Sequence, residues 1–255
     1  TLSLHDALPI SCHQPEIFAA FPNIIAAQST RHGGVSPKPL SSLNLSFSVG
    51  DTEANVQENR KRFFGTFQIN PAEVATSKQV HQDKVLYAPE PGAHEGFDAL
   101  VTDQRRVFVA VSIADCTPIL LFDAAHRVVA AVHAGWRGTA EGIVYKTLQA
   151  MQGHFGTNAA DCFAYVGTCI DECSYEVNAD VADHFPDDFK RFDAAKQKFF
   201  VDLKASNRYQ MEAFGVPTEQ IEISPFSTVL HNEDFFSHRK EKGKTGRMMA
   251  FIGIR

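Results

Sequence analysis

Residues 116–133, CTPILLFDAAHRVVAAVH, constrain the fold of this 255-residue chain more than any other stretch. Two apolar, β-rich runs, PILLFD (118–123) and RVVAAVH (127–133), are joined so tightly that they turn back on each other as an antiparallel hairpin. A symmetric turn about Ala124 and Ala125 pairs Asp123 with His126 and Phe122 with Arg127, and the same register sets Cys116 opposite His133. Opposed residues of an antiparallel pair share a face with Cβ atoms about 4.5–5.5 Å apart, close enough for a thiolate and an imidazole to chelate one ion. The pair falls at the strand ends away from the turn, where side chains can reach a cleft.

A third ligand would complete a catalytic type of zinc site, three protein donors with one position left open. His81 in KQVHQDKV is the candidate, because it lies in a β-like segment flanked by polar groups, although spacing alone does not bring it to the hairpin. Asp115, beside the cysteine, is a candidate acceptor behind the ligands or an acid/base group. The same residues permit two other chemistries. Cys116 can serve as a nucleophile with His133 as its base, or it can pack as a small hydrophobe beside a hydrogen-bonded histidine.

Elsewhere, a strand is expected at NIIAAQST (23–30), ending at RHGGVSPKP where Gly33 and Gly34 permit a turn with positive φ. A helix is expected over 53–68, since Val56, Arg60, Phe63, Phe64 and Phe67 share a face and Asp51 or Thr52 can cap it. RVFVAVSI (106–113) reads as a strand before the hairpin. After it comes a helix over about 139–152, with Ala140, Ile143, Val144, Thr147, Leu148 and Met151 on one side and Thr139 as its cap. Then follow a strand at CFAYVG, irregular or helical segments through the 180s and 190s, a helix over 203–214 and a last strand at MMAFIGI. This mixed order predicts an α+β fold: a single domain over 11–255 with a mixed β-sheet core flanked by helices, since no repeat or linker marks a boundary.

Composition narrows the partners. The net charge is −6 and the basic residues are spread out except for RKEKGK near the end, so nucleic acid is not the expected partner. No apolar run approaches the roughly 18 residues of a membrane span. Five cysteines, Cys12, Cys116, Cys162, Cys169 and Cys173, fall at irregular spacing without a secretion signal, which points to a reducing, cytoplasmic setting. The spacing of Cys169 and Cys173 does not suit a zinc knuckle, and packing explains them. The opening TLSLHDALPI back-translates to a sequence resembling the end of a common DNA-sequencing adapter. Residues 1–10 are therefore expected to be an artefact fused to a gene whose own start is missing, and to be dispensable for fold and activity.

TRHGGVS, NLS, QVHQDKV, DALVTD, ADCTPILLFD, AVHAGWRGT, VGTCIDECSYEV and FFSHRKEKGKTGR resemble, in that order, the successive motifs of the YfiH family. That family, also called the laccase-domain or multicopper polyphenol oxidase family, includes bacterial purine nucleoside phosphorylases and a human enzyme of immune metabolism. The resemblance covers the chain from about residue 15 to 255. It implies a single α+β domain, similar in fold to toxin deamidases that use a Cys/His pair, and a zinc site whose ligands fall on His81, Cys116 and His133. It further implies phosphorolysis of adenosine, inosine, guanosine and methylthioadenosine, adenosine deamination and, through the oxidase name, activity on phenols with copper in place of zinc. The chain departs from the pattern at Gly167 and Thr168, where the family usually has a glycine-proline step, and lacks a cysteine often found before the last motif.

Purine nucleosides and phosphate are then the expected partners. Zinc lowers the pKa of bound water toward about 7, which suits deamination, whereas phosphorolysis needs an anion site. Arginine forks match phosphate well. Arg31, Arg137 and Arg239 lie in turn-like motifs and are the phosphate candidates, Arg137 because it precedes an expected helix start at Gly138 and Thr139. Asn44 in SLNLS is a candidate for holding a ribose or base, or its own turn. His238 is a candidate proton carrier, and Trp136 one for stacking on a base or walling the cleft. Against a copper polyphenol oxidase stand the small number of ligands and the missing His-x-His pairs.

Overall fold

The apolar runs are nearly unbroken because they are buried on both faces. In the computed structural model, which describes residues 10–255, Leu120 and Phe122 of strand Thr117–Asp123 point into a layer shared with Val109, Val111, Ala250 and Ile252. Ile119 and Leu121 point the other way, onto Ile143, Val144, Leu148 and Met151.

The shared layer lies between two mixed sheets. The first runs in the order Cys12–His13, Ile24–Ser29, Met248–Ile254, Phe108–Ile113, Val74–Lys78, Gly92–Glu95. The second runs Ile221–Ile223, Cys162–Val166, Thr117–Asp123, Val128–Ala134, Ala99–Thr102, Val85–Tyr87. Helix Glu53–Gly65, capped by Thr52 whose side chain accepts from Asn55 N–H, sets Phe63 and Phe64 against Phe251 on the outer face of the first sheet. Helices Ile143–Phe155 and Leu203–Phe214 cover the outer face of the second. The fold is α+β, and its core is a pair of stacked sheets between helices.

Three local expectations are corrected. The hairpin pairs Asp123 with Val128 and Pro118 with His133, so Cys116 does not oppose His133 but stands one residue beyond the last pair, Thr117 with Ala134. The cause is the turn. Asp123 Oδ1 accepts the N–H groups of Ala125 (2.9 Å) and His126 (3.0 Å), and Arg127 takes a φ of 58°, so residues 124–127 all belong to the loop. Partners move by two positions, and because the strand period is two, both side chains keep their common face. Second, the helix expected over 139–152 is split into Trp136–Ala140 and Ile143–Phe155 by Gly142, whose φ is 78°. Thr139 lies inside the first piece, where its Oγ1 accepts from Asn207 Nδ2 at 3.1 Å, and caps nothing. Third, the stretch expected to be irregular or helical through the 180s and 190s is helical at Ala179–Ala182 and Asp187–Phe189 but then contains strands. Lys190–Asp193, Lys198–Val201 and Glu176–Val177 form a small sheet whose strands, two to four residues long, are too short to leave an alternating pattern.

Of residues 1–10, on which the adapter expectation falls, 1–9 lie outside the described residues; the tenth, Ile10, packs with Cys12 on the Phe63–Phe251 cluster. Deleting residues 1–9 is expected to leave the melting temperature unchanged. A drop beyond about 3 °C, roughly 1 kcal/mol for a chain of this size, would contradict that. Among the described residues, no helix is long and apolar enough to cross a membrane.

Candidate metal centre and its cavity

Asp98, at the head of strand Ala99–Thr102, is fully buried, and the site is assembled on it. Its carboxylate accepts the successive backbone N–H groups of Val80 (3.1 Å), His81 (3.0 Å) and Gln82 (2.9 Å) and lies 2.8 Å from His133 Nδ1. Its carbonyl accepts the backbone N–H of His133 at 2.7 Å. Burial alone would raise the carboxyl pKa, but the bonds from His133 and the backbone amides outweigh it and hold the pKa below its ordinary value. An ionised carboxylate only accepts, so His133 Nδ1 is the donor and Nε2 keeps its lone pair for a metal. The amides converging on Asp98 form a concave anion site, which holds His81 at a φ of 58° that a residue with a side chain rarely adopts. Sequence reasoning missed Asp98; the available signal was a lone acid heading the apolar run ALV.

His81, Cys116 and His133 thereby converge. Their ligand atoms lie within 4.8 Å of one another, and among the described residues they are the one His/Cys/Asp/Glu group of this kind. The two imidazole rings stand nearly perpendicular, at 84°, with centroids 4.8 Å apart. A Cβ on Gly135 would come within 3.2 Å of Cys116 Sγ and 3.3 Å of His81 Cδ2. Two imidazoles, one thiolate and a cradle kept open by a glycine fit a borderline-soft ion such as zinc. Gly135→Ala is expected to weaken metal binding by about tenfold or more, the scale of disturbances around metal ligands. Titration of the variant with a competing chelator measures it.

Burial raises the Cys116 thiol, but the charge and hydrogen bond of His133, joined by those of His81, pull it down to about 6. Burial likewise lowers His133, and Cys116 and Asp98 together push it up to about 9. Between these values the metal-free pair is thiolate and imidazolium. Alkylation of Cys116 in metal-free protein should therefore rise with pH through about 6 and level off below pH 8, instead of climbing toward 9 as a free thiol does. Bound metal should block the reaction. Equal labelling with and without metal would contradict ligation by Cys116.

The triad opens into a cavity of about 920 Å³. Asp115, Trp136, Arg137, His238 and Arg239 all line it. Asp115, at a φ of 85°, accepts from Thr228 Oγ1 and from the Arg239 backbone N–H, each at 2.6 Å, so its carboxylate anchors the loop carrying His238 and Arg239. Arg137 lies in the first turn of its short helix and stacks on Trp136 at 4.3 Å. Trp136 also packs on the cluster of Ile170, Val177, Phe185 and Val201, joining the small sheet to the cavity wall. Arg239 sits 5.4 Å over the ring of Tyr175 and donates to Glu176 O at 2.8 Å.

Two expected residues are absent from the lining. Arg31 donates to Ser41 O, Asn232 O and Glu241, stacks on Phe236 at 4.5 Å, and is not among the residues that line the cavity. Asn44 is fully buried and holds its own turn, donating to Ser46 O and Asp51 and accepting from Ser46 N–H and Arg247 N–H. In their place stand Arg60, Arg247, Lys78 and Tyr175; Arg60 was read as part of a helix face, and the other three lie inside quoted motifs in which they were not singled out. Burial pulls Arg60 down to about 10, still charged at neutral pH. Burial also raises the Tyr175 phenol, with the nearby Cys116 adding to it, and no hydrogen bond engages its hydroxyl among the described residues. Four arginines and Lys78 face only Asp115 and Glu95 among the lining acids. A protein of net charge −6 thus carries a cationic cavity beside its metal ligands.

The chain is similar to known proteins over nearly its whole length. Residues 25–255 match the family described as multi-copper polyphenol oxidoreductase laccase. The chain is 34% identical to the purine nucleoside phosphorylase of Bacteroides thetaiotaomicron, over 94% of each chain. It is 32% identical to the purine nucleoside phosphorylase YlmD of Bacillus subtilis, over 100% of this chain and 95% of the relative. The crystal structure of the hypothetical protein YfiH from Bacillus licheniformis superposes with a TM-score of 0.91 at 31% identity, covering 97% of this chain and all of that one.

Proposed function

The chain belongs to the multi-copper polyphenol oxidoreductase laccase family, and from that premise we propose that it is a zinc-dependent purine nucleoside phosphorylase that also deaminates adenosine. The observation that carries this reading is a two-histidine, one-cysteine triad opening into a cavity whose charged lining is mainly cationic. Its volume, about 920 Å³, has room for a nucleoside and a phosphate together. Adenosine, inosine, guanosine and methylthioadenosine are the proposed nucleosides, and the names of the relatives support that class.

His81, Cys116 and His133 would hold the metal, which when bound supplies Lewis acidity. The remaining chemistry belongs to the chain. Arg137 and Arg239 offer guanidinium forks to a phosphate, each steadied by an aromatic ring beneath it. The Tyr175 phenol, held protonated, donates a hydrogen bond to the same anion. Asp115 fixes the position of Arg239 through its backbone. His238 lies in the same lining and is the proton carrier proposed for the departing base. Since Cys116 must stay a free thiol to serve as a ligand, a reducing, cytoplasmic setting belongs to this proposal, as does a single catalytic domain.

The test is release of hypoxanthine from inosine, which should require phosphate. Purified, metal-loaded protein that turns over no purine nucleoside in phosphate would sink the reading. The depressed Cys116 thiol beside a raised His133 favours a second reading, a cysteine hydrolase or deamidase. That enzyme would work metal-free and lose activity on alkylation.

A further inference from the structure

We propose that Phe47 is the platform on which the purine base stacks, a specificity residue for the nucleoside; this rests on the reading just given. Phe47 lines the cavity yet is 49% exposed, among the most exposed large apolar side chains of the molecule. A single exposed phenylalanine needs no explanation by itself. This one is built in place. Its ring is backed by the Arg60 guanidinium at 4.5 Å, and Arg60 Nε is fastened to Leu45 O at 2.9 Å.

The turn that carries Phe47 is tied down on both sides. Asn44 Nδ2 donates to Ser46 O (3.0 Å) and Asp51 (2.9 Å), its Oδ1 accepts the Ser46 N–H (3.2 Å), and Ser46 Oγ accepts the Ser48 N–H (3.3 Å). The ring is therefore preorganised, and little ordering remains to oppose binding. The same turn is coupled to the metal end. Asn44 Oδ1 accepts the Arg247 N–H at 3.0 Å and Arg247 O accepts the Leu45 N–H at 3.0 Å, while the Arg247 guanidinium lies within the field of Cys116 and Asp115. Phe47, Arg247 and the triad line one cavity, which a nucleoside would occupy with its base on Phe47 and its glycosidic bond toward the anion site. A planar base with apolar faces suits an aromatic ring backed by a cation, and such stacking changes affinity about 5- to 150-fold.

Calorimetric titration of hypoxanthine into metal-loaded protein tests this without turnover. Phe47→Ala should weaken hypoxanthine binding and raise the KM for inosine by at least about fivefold, with kcat, the KM for phosphate and metal content close to wild type. Phe47→Tyr should restore both values. If the wild type binds neither hypoxanthine nor inosine, the nucleoside reading itself has failed. If the wild type binds and Phe47→Ala binds equally well, the platform is overturned while the nucleoside reading stands. A change of oligomeric state in Phe47→Ala with hypoxanthine affinity intact would likewise overturn it, and would make Phe47 a protein contact.

Discussion

Cys116→Ala is expected to abolish inosine phosphorolysis, lowering kcat/KM by at least about a thousandfold, because several kcal/mol of metal-derived stabilisation are lost at about 1.4 kcal/mol per decade. The thiolate is the one anionic donor among the ligands, and without it two imidazoles remain around a cavity rich in positive charge. The variant should fold normally. Cys116 is only half-buried at a strand end, so a methyl group leaves little void there. Loss of metal and activity at an unchanged melting temperature separates the removal of a ligand from a damaged fold. His133→Ala should also lose metal and activity, but it leaves the Asp98 carboxylate buried without one of its donors, and its melting temperature should fall.

Asp98→Asn should be costlier to the fold than to any single step of chemistry. Oδ1 accepts from His81 N–H and His133 Nδ1, and Oδ2 accepts from Val80 N–H and Gln82 N–H. An amide in that place turns one oxygen into a donor, so two N–H groups directed at the buried carboxylate lose their acceptor, at about 1–3 kcal/mol each. Expected results are a loss of roughly 2–6 kcal/mol of stability and a metal affinity weakened by about 10- to 100-fold, the usual range when a carboxylate behind a histidine ligand is removed. Denaturant unfolding and chelator competition read the two effects separately. An Asp98→Asn variant with wild-type metal affinity would show that the carboxylate holds the backbone alone.

These two residues also mark what the sequence could and could not disclose. Cys116 and His133 were legible because a hairpin has few possible registers, and every register of the right parity places both on one face. The expected direct opposition failed since Asp123 and a left-handed Arg127 lengthen the turn, which no count of apolar residues reveals. Helix Glu53–Gly65 was readable from its aromatic stripe, and helix Leu203–Phe214 lies where a helix near 203–214 was expected. Gly142 broke the other helix where the apolar pattern ran on.

His81 came from family resemblance together with its polar flanks. What brings it to the hairpin is the amide nest around Asp98, a contact between segments that no local pattern encodes. Arg31 and Asn44 sat in motifs as suggestive as those of Arg137 and Arg239, yet Arg31 spends its donors on Ser41, Asn232 and Glu241 and Asn44 spends its groups on its own turn. The cavity instead takes Arg60 from a helix face and Arg247 from the approach to the last strand. Whether an arginine is a ligand group or a brace depends on what surrounds its tip, and that is decided by packing between distant segments.

In the proposed purine nucleoside phosphorylase one metal is held by His81, Cys116 and His133. The most direct test measures metal content and phosphate-dependent hypoxanthine release from inosine on the same preparation, before and after removal and return of zinc. About one zinc per chain is expected for the three-ligand site, with activity lost when the metal is removed and regained on its return. Undiminished phosphorolysis in metal-free protein, or a zinc-replete protein inert toward every purine nucleoside, would contradict it.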